Sequence, residues 1–345
     1  MNIGIIGATG YGGVELYRIL KMHPNVSTFN LYTSSDEEKA YAEVYTHLNQ
    51  ISDESLKSIE LEKIKEENDV VFLATPSGIS AKLSPQLEHE KLKIIDLSGD
   101  LRIKDPSLYE AWYQKEAAPA SFIDKAVYGL TEVNKSSVQE AQVVANPGCY
   151  PTASLLGLAP LVSEKVVKPG SIIIDAKSGV SGAGRKPSLA TSFVEIQDNL
   201  KIYKVHKHQH VPEIEQALHQ FDSNVGAISF STHLVPMTRG IMATIYVELL
   251  EDWENNRLQE LYRHYYEGHP FVRVRQAGSF PSTKEVYGSN YCDIAVQLDE
   301  RTNRVTIVSV IDNLMKGASG QAVQNMNVMF GWDETTGIPN NPIYP

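Results

Sequence analysis

At 345 residues the chain exceeds the size at which a single hydrophobic core stops growing, so two domains are expected. Its 42% hydrophobic and 21% charged residues match an ordinary globular protein and exclude a disordered one. A formal net charge of -11 with no long basic run argues against a phosphate-backbone partner, so no nucleic acid is expected.

The chain begins directly on Met1-Asn2-Ile3-Gly4-Ile5-Ile6-Gly7, without the charged region and cleavage site of a signal peptide, so a cytoplasmic location is expected. No window approaches about 18 consecutive apolar residues, so no membrane span is expected either. Residues 2–7 read as a strand that ends in Gly7-Ala8-Thr9-Gly10-Tyr11-Gly12-Gly13, and Val14 to Met22 read as an amphipathic helix. Strand, glycine turn and helix form a dinucleotide site, because glycines let the backbone approach a pyrophosphate seated on the helix N-terminus. Gly7, Thr9, Gly10, Tyr11, Gly12 and Gly13 are the expected contacts. A glycine triplet alone is weak evidence; its place right after an N-terminal strand strengthens it.

Further strands are expected at Thr28 to Tyr32, Val70 to Ala74 and Lys93 to Leu97, with helical stretches at 36–48 and 53–67. This alternation predicts a Rossmann-type, doubly wound parallel sheet. Each strand ends in small or polar residues, among them Ser34, Ser35 and Ser98-Gly99-Asp100, where such sheets bind ligands.

Asn146-Pro147-Gly148-Cys149-Tyr150-Pro151-Thr152 then places one of only two cysteines on a Pro-Gly turn, before a helix-like run from Ala153 to Ala159. An arbitrary cysteine is more often a buried, inert residue. The positive end of a helix favours thiolate over thiol, and that context makes Cys149 a candidate nucleophile. Cys292 reads as a packed strand residue, and both thiols are expected to be free.

Beyond Cys149 the pattern changes to partly alternating strands at Ser171 to Asp175, Ala227 to His233, Thr244 to Leu250, Asp293 to Leu298 and Arg304 to Ile311. This predicts a second, α+β domain with a largely antiparallel sheet. The stretch Asn313 to Met329 has helical spacing and is expected to pack back on the first domain.

Three histidines, His206, His208 and His210, precede a helix that begins at Pro212-Glu213-Ile214 and offer an acid/base near neutral pH. No cysteine or carboxylate cluster completes a zinc pattern with them, so no metal is expected. A second glycine loop, Ser178-Gly179-Val180-Ser181-Gly182-Ala183-Gly184-Arg185, is either a close-approach site or a flexible surface loop. Arg102, Arg185 and Arg239 are candidate clamps for phosphate or carboxylate. A dinucleotide site, a nucleophilic thiol and a histidine together point to reduction of an acyl phosphate through a thioester.

These residues resemble the N-acetyl-gamma-glutamyl-phosphate reductase family, which is related to the aspartate-semialdehyde dehydrogenases. The likeness runs nearly end to end, through Gly7 to Gly13, Asp96 to Arg102, Tyr128 to Glu132, Asn146 to Thr152, Ser178 to Gly184, His208 to Ile214, His233 to Gly240 and Asp312 to Ala322. It implies reduction of N-acetyl-L-glutamyl 5-phosphate with NADPH in arginine biosynthesis, with Cys149 as acyl acceptor and His208 as acid/base, His210 being the rival. It implies that Arg102 and Asn146 lie near the transferred phosphate and that Gly182 and Asn325 lie near the nicotinamide. Arg239 would hold a substrate carboxylate.

The family often carries an arginine after the second strand, where this chain has Ser34-Ser35-Asp36. Serines can bond the 2′-phosphate of NADP, whereas Asp36 suits the ribose of NAD; NADP is the expected cofactor. The implied domains are an NADP-binding domain at 1–148 and 313–345 and a catalytic and oligomerisation domain at 149–312, with a homodimer or homotetramer as the assembly. Two other readings share the features: a lysine-pathway reductase acting on a carrier-bound aminoadipyl phosphate, and a Rossmann protein that senses a cofactor without turnover. The thiol turn, histidine run and two glycine loops together argue against the second.

Overall fold

The computed structural model describes all 345 residues, which divide into two compact units, Met1–Pro147 with Ala318–Ile338 and Gly148–Gly317 with Pro339–Pro345. In the first unit β1 (Asn2–Ile6), β2 (Thr28–Tyr32), β3 (Leu56–Lys57), β4 (Val70–Leu73), β5 (Lys93–Asp96), β6 (Ala126–Tyr128) and β7 (Val143–Ala145) form one sheet in the order β3-β2-β1-β4-β5-β7-β6. Every pairing is parallel. Parallel strands covered on both faces read as continuous apolar runs, and all four residues of Val70–Leu73 are buried. Successive strands grow outward in opposite directions from β1 and β4, which makes the end of β1 the topological switch point where such sheets bind ligands. The helix Tyr11–Leu20 starts there.

Two helical expectations fail in this unit. Residues 36–48 hold only the short turns Tyr41–Val44 and Thr46–Leu48, and 53–67 holds edge strand β3 before a helix at Leu61–Glu67. The first segment is not held by an apolar helical stripe. It is tied down by hydroxyls: Tyr41 donates to the carbonyl of Ala8 (2.8 Å), and Tyr45 to that of Thr9 (2.9 Å).

The second unit contains β8 (Ile173–Ser178), β9 (Lys201–Tyr203), β10 (Ser229–Leu234), β11 (Ile241–Glu248), β12 (Val272–Val274), β13 (Cys292–Asp299) and β14 (Arg304–Ile311), ordered β12-β13-β14-β11-β8-β10-β9. Only β8/β10 and β12/β13 pair in parallel, so the sheet is largely antiparallel. Burial alternates along β11, as a sheet covered on one face requires. The covering element is the helix Cys149–Ser163, buried at every position from Tyr150 to Val162, which packs on β11 and β14. The helix Val211–Phe221 packs on it in turn.

The chain returns to the first unit at Ala318, later than the expected 313, because Asn313 is bonded within the second unit. Its Oδ1 accepts from the Gly240 N–H (2.8 Å), and its Nδ2 donates to Ser181 Oγ (2.9 Å). The final residues also belong to the second unit, where the Ile343 N–H donates to the Tyr287 carbonyl (2.8 Å). No helix is long and apolar enough to cross a membrane.

Candidate active site

In the first unit the glycine turn is shaped by two of its glycines. Gly7 has φ of +86°, and a Cβ there would lie 2.5 Å from the Ala74 carbonyl oxygen. A Cβ on Gly13 would lie 2.5 Å from the Gly7 carbonyl oxygen and 2.7 Å from Ala8 Cα. Gly10 and Gly12 have room for a methyl group, so their smallness keeps the approach to the turn open instead. Gly10 is the N-cap of Tyr11–Leu20 and makes no side-chain cap, and Tyr11 is its first residue. Uncapped N–H groups at the positive end of a helix, on a turn in which four of seven residues are glycine, fit a dinucleotide pyrophosphate.

Ser34 and Ser35 follow β2 on the surface. Asp36, the residue that would repel a 2′-phosphate, has its Oδ1 2.7 Å from Lys39 Nζ and accepts from Ser35 Oγ at 2.9 Å. Part of its charge is therefore compensated locally.

Arg102, Asn146 and Asn325 are linked within the first unit. Arg102 is buried; its Nε donates to the Asn146 carbonyl (2.7 Å) and its Nη2 to the Leu97 carbonyl (2.9 Å). These carbonyls orient the guanidinium. Asn146 is fully buried, with Nδ2 donating to the Ala318 carbonyl (3.1 Å) and Oδ1 accepting from Asn325 Nδ2 (3.0 Å). Asn325 also donates to the Gly129 carbonyl (2.8 Å) and accepts from Thr131 Oγ1 (2.7 Å). The two asparagine side chains thus brace β6, β7 and the last helix, Gly320–Met329, and Arg102 is the one cationic member of the group.

The second unit carries the thiol. Cys149 is the first residue of Cys149–Ser163, after N-cap Gly148, and is half-buried, whereas Cys292 is enclosed in β13. Both are free thiols. Gly317 lies against the nucleophile candidate: a Cβ there would come 2.8 Å from Cys149 Cβ.

The histidine run separates into three environments. His206 is exposed in a left-handed loop conformation with φ of +53°. His208 is buried in an aromatic box, its ring 5.4 Å from Tyr150, 5.8 Å from Tyr203 and 5.6 Å from Phe230. Its Nδ1 accepts from the His210 N–H (3.2 Å), which places the proton of the neutral ring on Nε2. Burial, followed by the nearby Lys204 charge, lowers its pKa to about 3. His210 is the N-cap residue of Val211–Phe221 and lies 4.7 Å from His208, ring to ring.

Tyr150, directly after the thiol, has its hydroxyl 3.0 Å from that of Tyr203. Burial first, then the neighbouring Tyr203, pushes its pKa far above the usual phenol range. Glu213 is fully buried in the same helix as His210, and its Oε1 accepts from the Gly148 N–H at 2.8 Å. In the sequence Glu213 marks a helix start and no more; its place three residues after the N-cap, where a carboxylate can reach N–H groups at a helix end, is the one clue to this role. Gly182 sits in the short turn Val180–Ala183 on the surface of this unit. Arg239 is held 3.5 Å from Asp312, a buried carboxylate that also accepts from the N–H groups of Gly288, Leu314 and Met315.

Comparison with known proteins agrees with this division. The family described as "Semialdehyde dehydrogenase, NAD binding domain" matches residues 2–141, and "Semialdehyde dehydrogenase, dimerisation domain" matches 149–313. An N-acetyl-gamma-glutamyl-phosphate reductase of Bacillus subtilis (strain 168) is 59% identical, and one of Geobacillus stearothermophilus 56%, each over the full length of both chains. Among solved structures, aspartate semialdehyde dehydrogenase II of Vibrio cholerae, in complex with ASA, superposes with a TM-score of 0.72 at 17% identity, over 96% of this chain and 98% of that one. That likeness shows the fold alone. The sequence identity shows more: the chain is an oxidoreductase and belongs to the N-acetyl-gamma-glutamyl-phosphate reductase family.

Proposed function

We propose that the enzyme converts N-acetyl-L-glutamyl 5-phosphate to N-acetyl-L-glutamate 5-semialdehyde and phosphate, using NADPH, as a reversible step of arginine biosynthesis. The observation that carries this reading is Cys149 at the first position of a buried 15-residue helix, where the positive end of the helix dipole favours the thiolate. The thiolate forms a bond to the acyl carbon, phosphate leaves with the bonding electrons, and a thioester remains on Cys149. NADPH, when bound, supplies the hydride. In the reverse direction the Cys149 thiolate adds to the aldehyde as protonated His210 delivers its proton to the carbonyl oxygen, and His210 takes that proton back as the hemithioacetal carbon gives up its hydride to leave the thioester. His210 is a better acid/base than His208 because His208 stays neutral in its aromatic box with Nδ1 already accepting a hydrogen bond.

Gly7, Gly10, Gly12 and Gly13 hold the pyrophosphate, with Thr9 and Tyr11 flanking it, and Ser34 and Ser35 bond the 2′-phosphate. Arg102, held by the Asn146 carbonyl, draws the acyl phosphate by charge with Asn146 beside it, while Asn325 and Gly182 serve the nicotinamide end of the cofactor. Arg239, steadied by Asp312, pairs with the substrate carboxylate. A second copy covers the face of the second sheet that carries Ile173, Met242 and Tyr246, which no helix of the chain fully buries, giving a homo-oligomer.

Phosphate-dependent reduction of NADP by N-acetylglutamate semialdehyde, run on the wild type and on Cys149→Ala, tests the reaction. Loss of at least about 1000-fold in the variant is expected, and equal rates contradict the assignment. The aldehyde one carbon longer should be the poorer substrate.

A further inference from the structure

The buried carboxylate of Glu213 joins two helix starts. Through its own backbone it is the third residue of Val211–Phe221, whose N-cap is His210. Through Oε1 it holds the N–H of Gly148, the N-cap of the helix on which Cys149 is first. Gly148 has no side chain of its own with which to fix the turn. A carboxylate is suited to the task, because it is the strongest acceptor for a backbone N–H and sits favourably at the N-terminus of its own helix.

We propose that Glu213 is a positioning residue that sets Cys149 against His210, acting through the Gly148 N–H without touching substrate. The inference rests on the thioester chemistry proposed above. Misplacement of a reacting group by about 1 Å can cost on the order of 100-fold in rate, so the strut should show in turnover more than in affinity.

The test compares Glu213→Ala and Glu213→Gln with the wild type, in kcat and KM for the semialdehyde reaction. Glutamine keeps an oxygen that can accept from Gly148; alanine does not. The Ala variant should lose about 100-fold in kcat with KM within about 3-fold, and the Gln variant should recover to within about 10-fold of wild type. An Ala variant with unchanged kcat, or a Gln variant no better than the Ala variant, overturns the proposal. Should the Ala variant fail to fold, the Gln variant decides alone, and a loss of about 100-fold in it overturns the strut. A wild type with no turnover contradicts the reaction itself, whereas a normal wild type beside an unaffected Ala variant contradicts only the strut.

Discussion

Each unit has one helix that begins on a glycine and is aimed at chemistry, yet the two beginnings differ. At Gly10 the helix start is uncapped and its turn is rich in glycine, which leaves the N–H groups open to an anion. At Gly148 the N-cap N–H is already taken by Glu213, and the next residue carries a thiol. On the proposed reading the same dipole serves once to bind and once to activate. What separates the two uses is whether a side chain of the protein occupies the place a ligand would take.

The largest effect that sharpens this comparison belongs to the histidines of the second start. His210→Asn should lower kcat by about 100- to 1000-fold, the usual worth of an acid/base, whereas His208→Phe should cost under about 10-fold by kcat measurement, since a phenyl ring fits its aromatic box. Equal losses would break the assignment. Next comes the first start, where Gly13→Ala brings a methyl to 2.5 Å from the Gly7 carbonyl. NADP affinity, read by quenching of protein fluorescence, should fall about 100-fold, as about 1–3 kcal/mol of overpacking reshapes the turn. Thiol alkylation by iodoacetamide should be unaffected.

A smaller and complementary effect is expected from Gly317→Ala, whose methyl meets Cys149 Cβ. It should cut kcat about 10-fold and leave NADP affinity as in the wild type. Together the two glycine variants separate binding from chemistry, and a Gly317→Ala variant that loses NADP affinity while keeping its kcat would reverse the comparison.

The last expected effect falls on stability and leaves turnover aside: a pH dependence of unfolding. His208 has a folded pKa of about 3, well below its unfolded value, so the unfolded chain takes up a proton first as the pH falls. Its contribution is complete above the unfolded pKa of about 6.5 and is lost progressively below it. Between pH 7 and pH 5 the wild type should lose up to about 2 kcal/mol more than His208→Phe in urea unfolding. Parallel pH profiles would show that His208 is not the group responsible.

Much of the first unit was legible because buried parallel strands announce themselves as apolar runs and the glycine turn follows the first of them. Strands β3, β6 and β7 were not, since two or three residues are too few to show a period. The segment 36–48 misled through its charge content, for what fixes it is a pair of tyrosine hydroxyls bonded to carbonyls of a distant turn. In the second unit Cys149 and the histidine run stood out by residue type and spacing. The choice between His208 and His210 did not, because burial among Tyr150, Tyr203 and Phe230 comes from residues scattered along the chain. Glu213 and Gly317 escaped for the same reason: their partners Gly148 and Cys149 lie far away in sequence.

The thioester is the claim on which the rest depends, and it is tested most directly by mass spectrometry of the enzyme mixed with N-acetyl-L-glutamyl 5-phosphate in the absence of NADPH, quenched in acid and digested. The N-acetylglutamyl group should appear on the peptide that contains Cys149 and vanish when NADPH is added before the quench. An acyl group found only elsewhere, or no acylated peptide from an enzyme that turns over normally, would contradict the account.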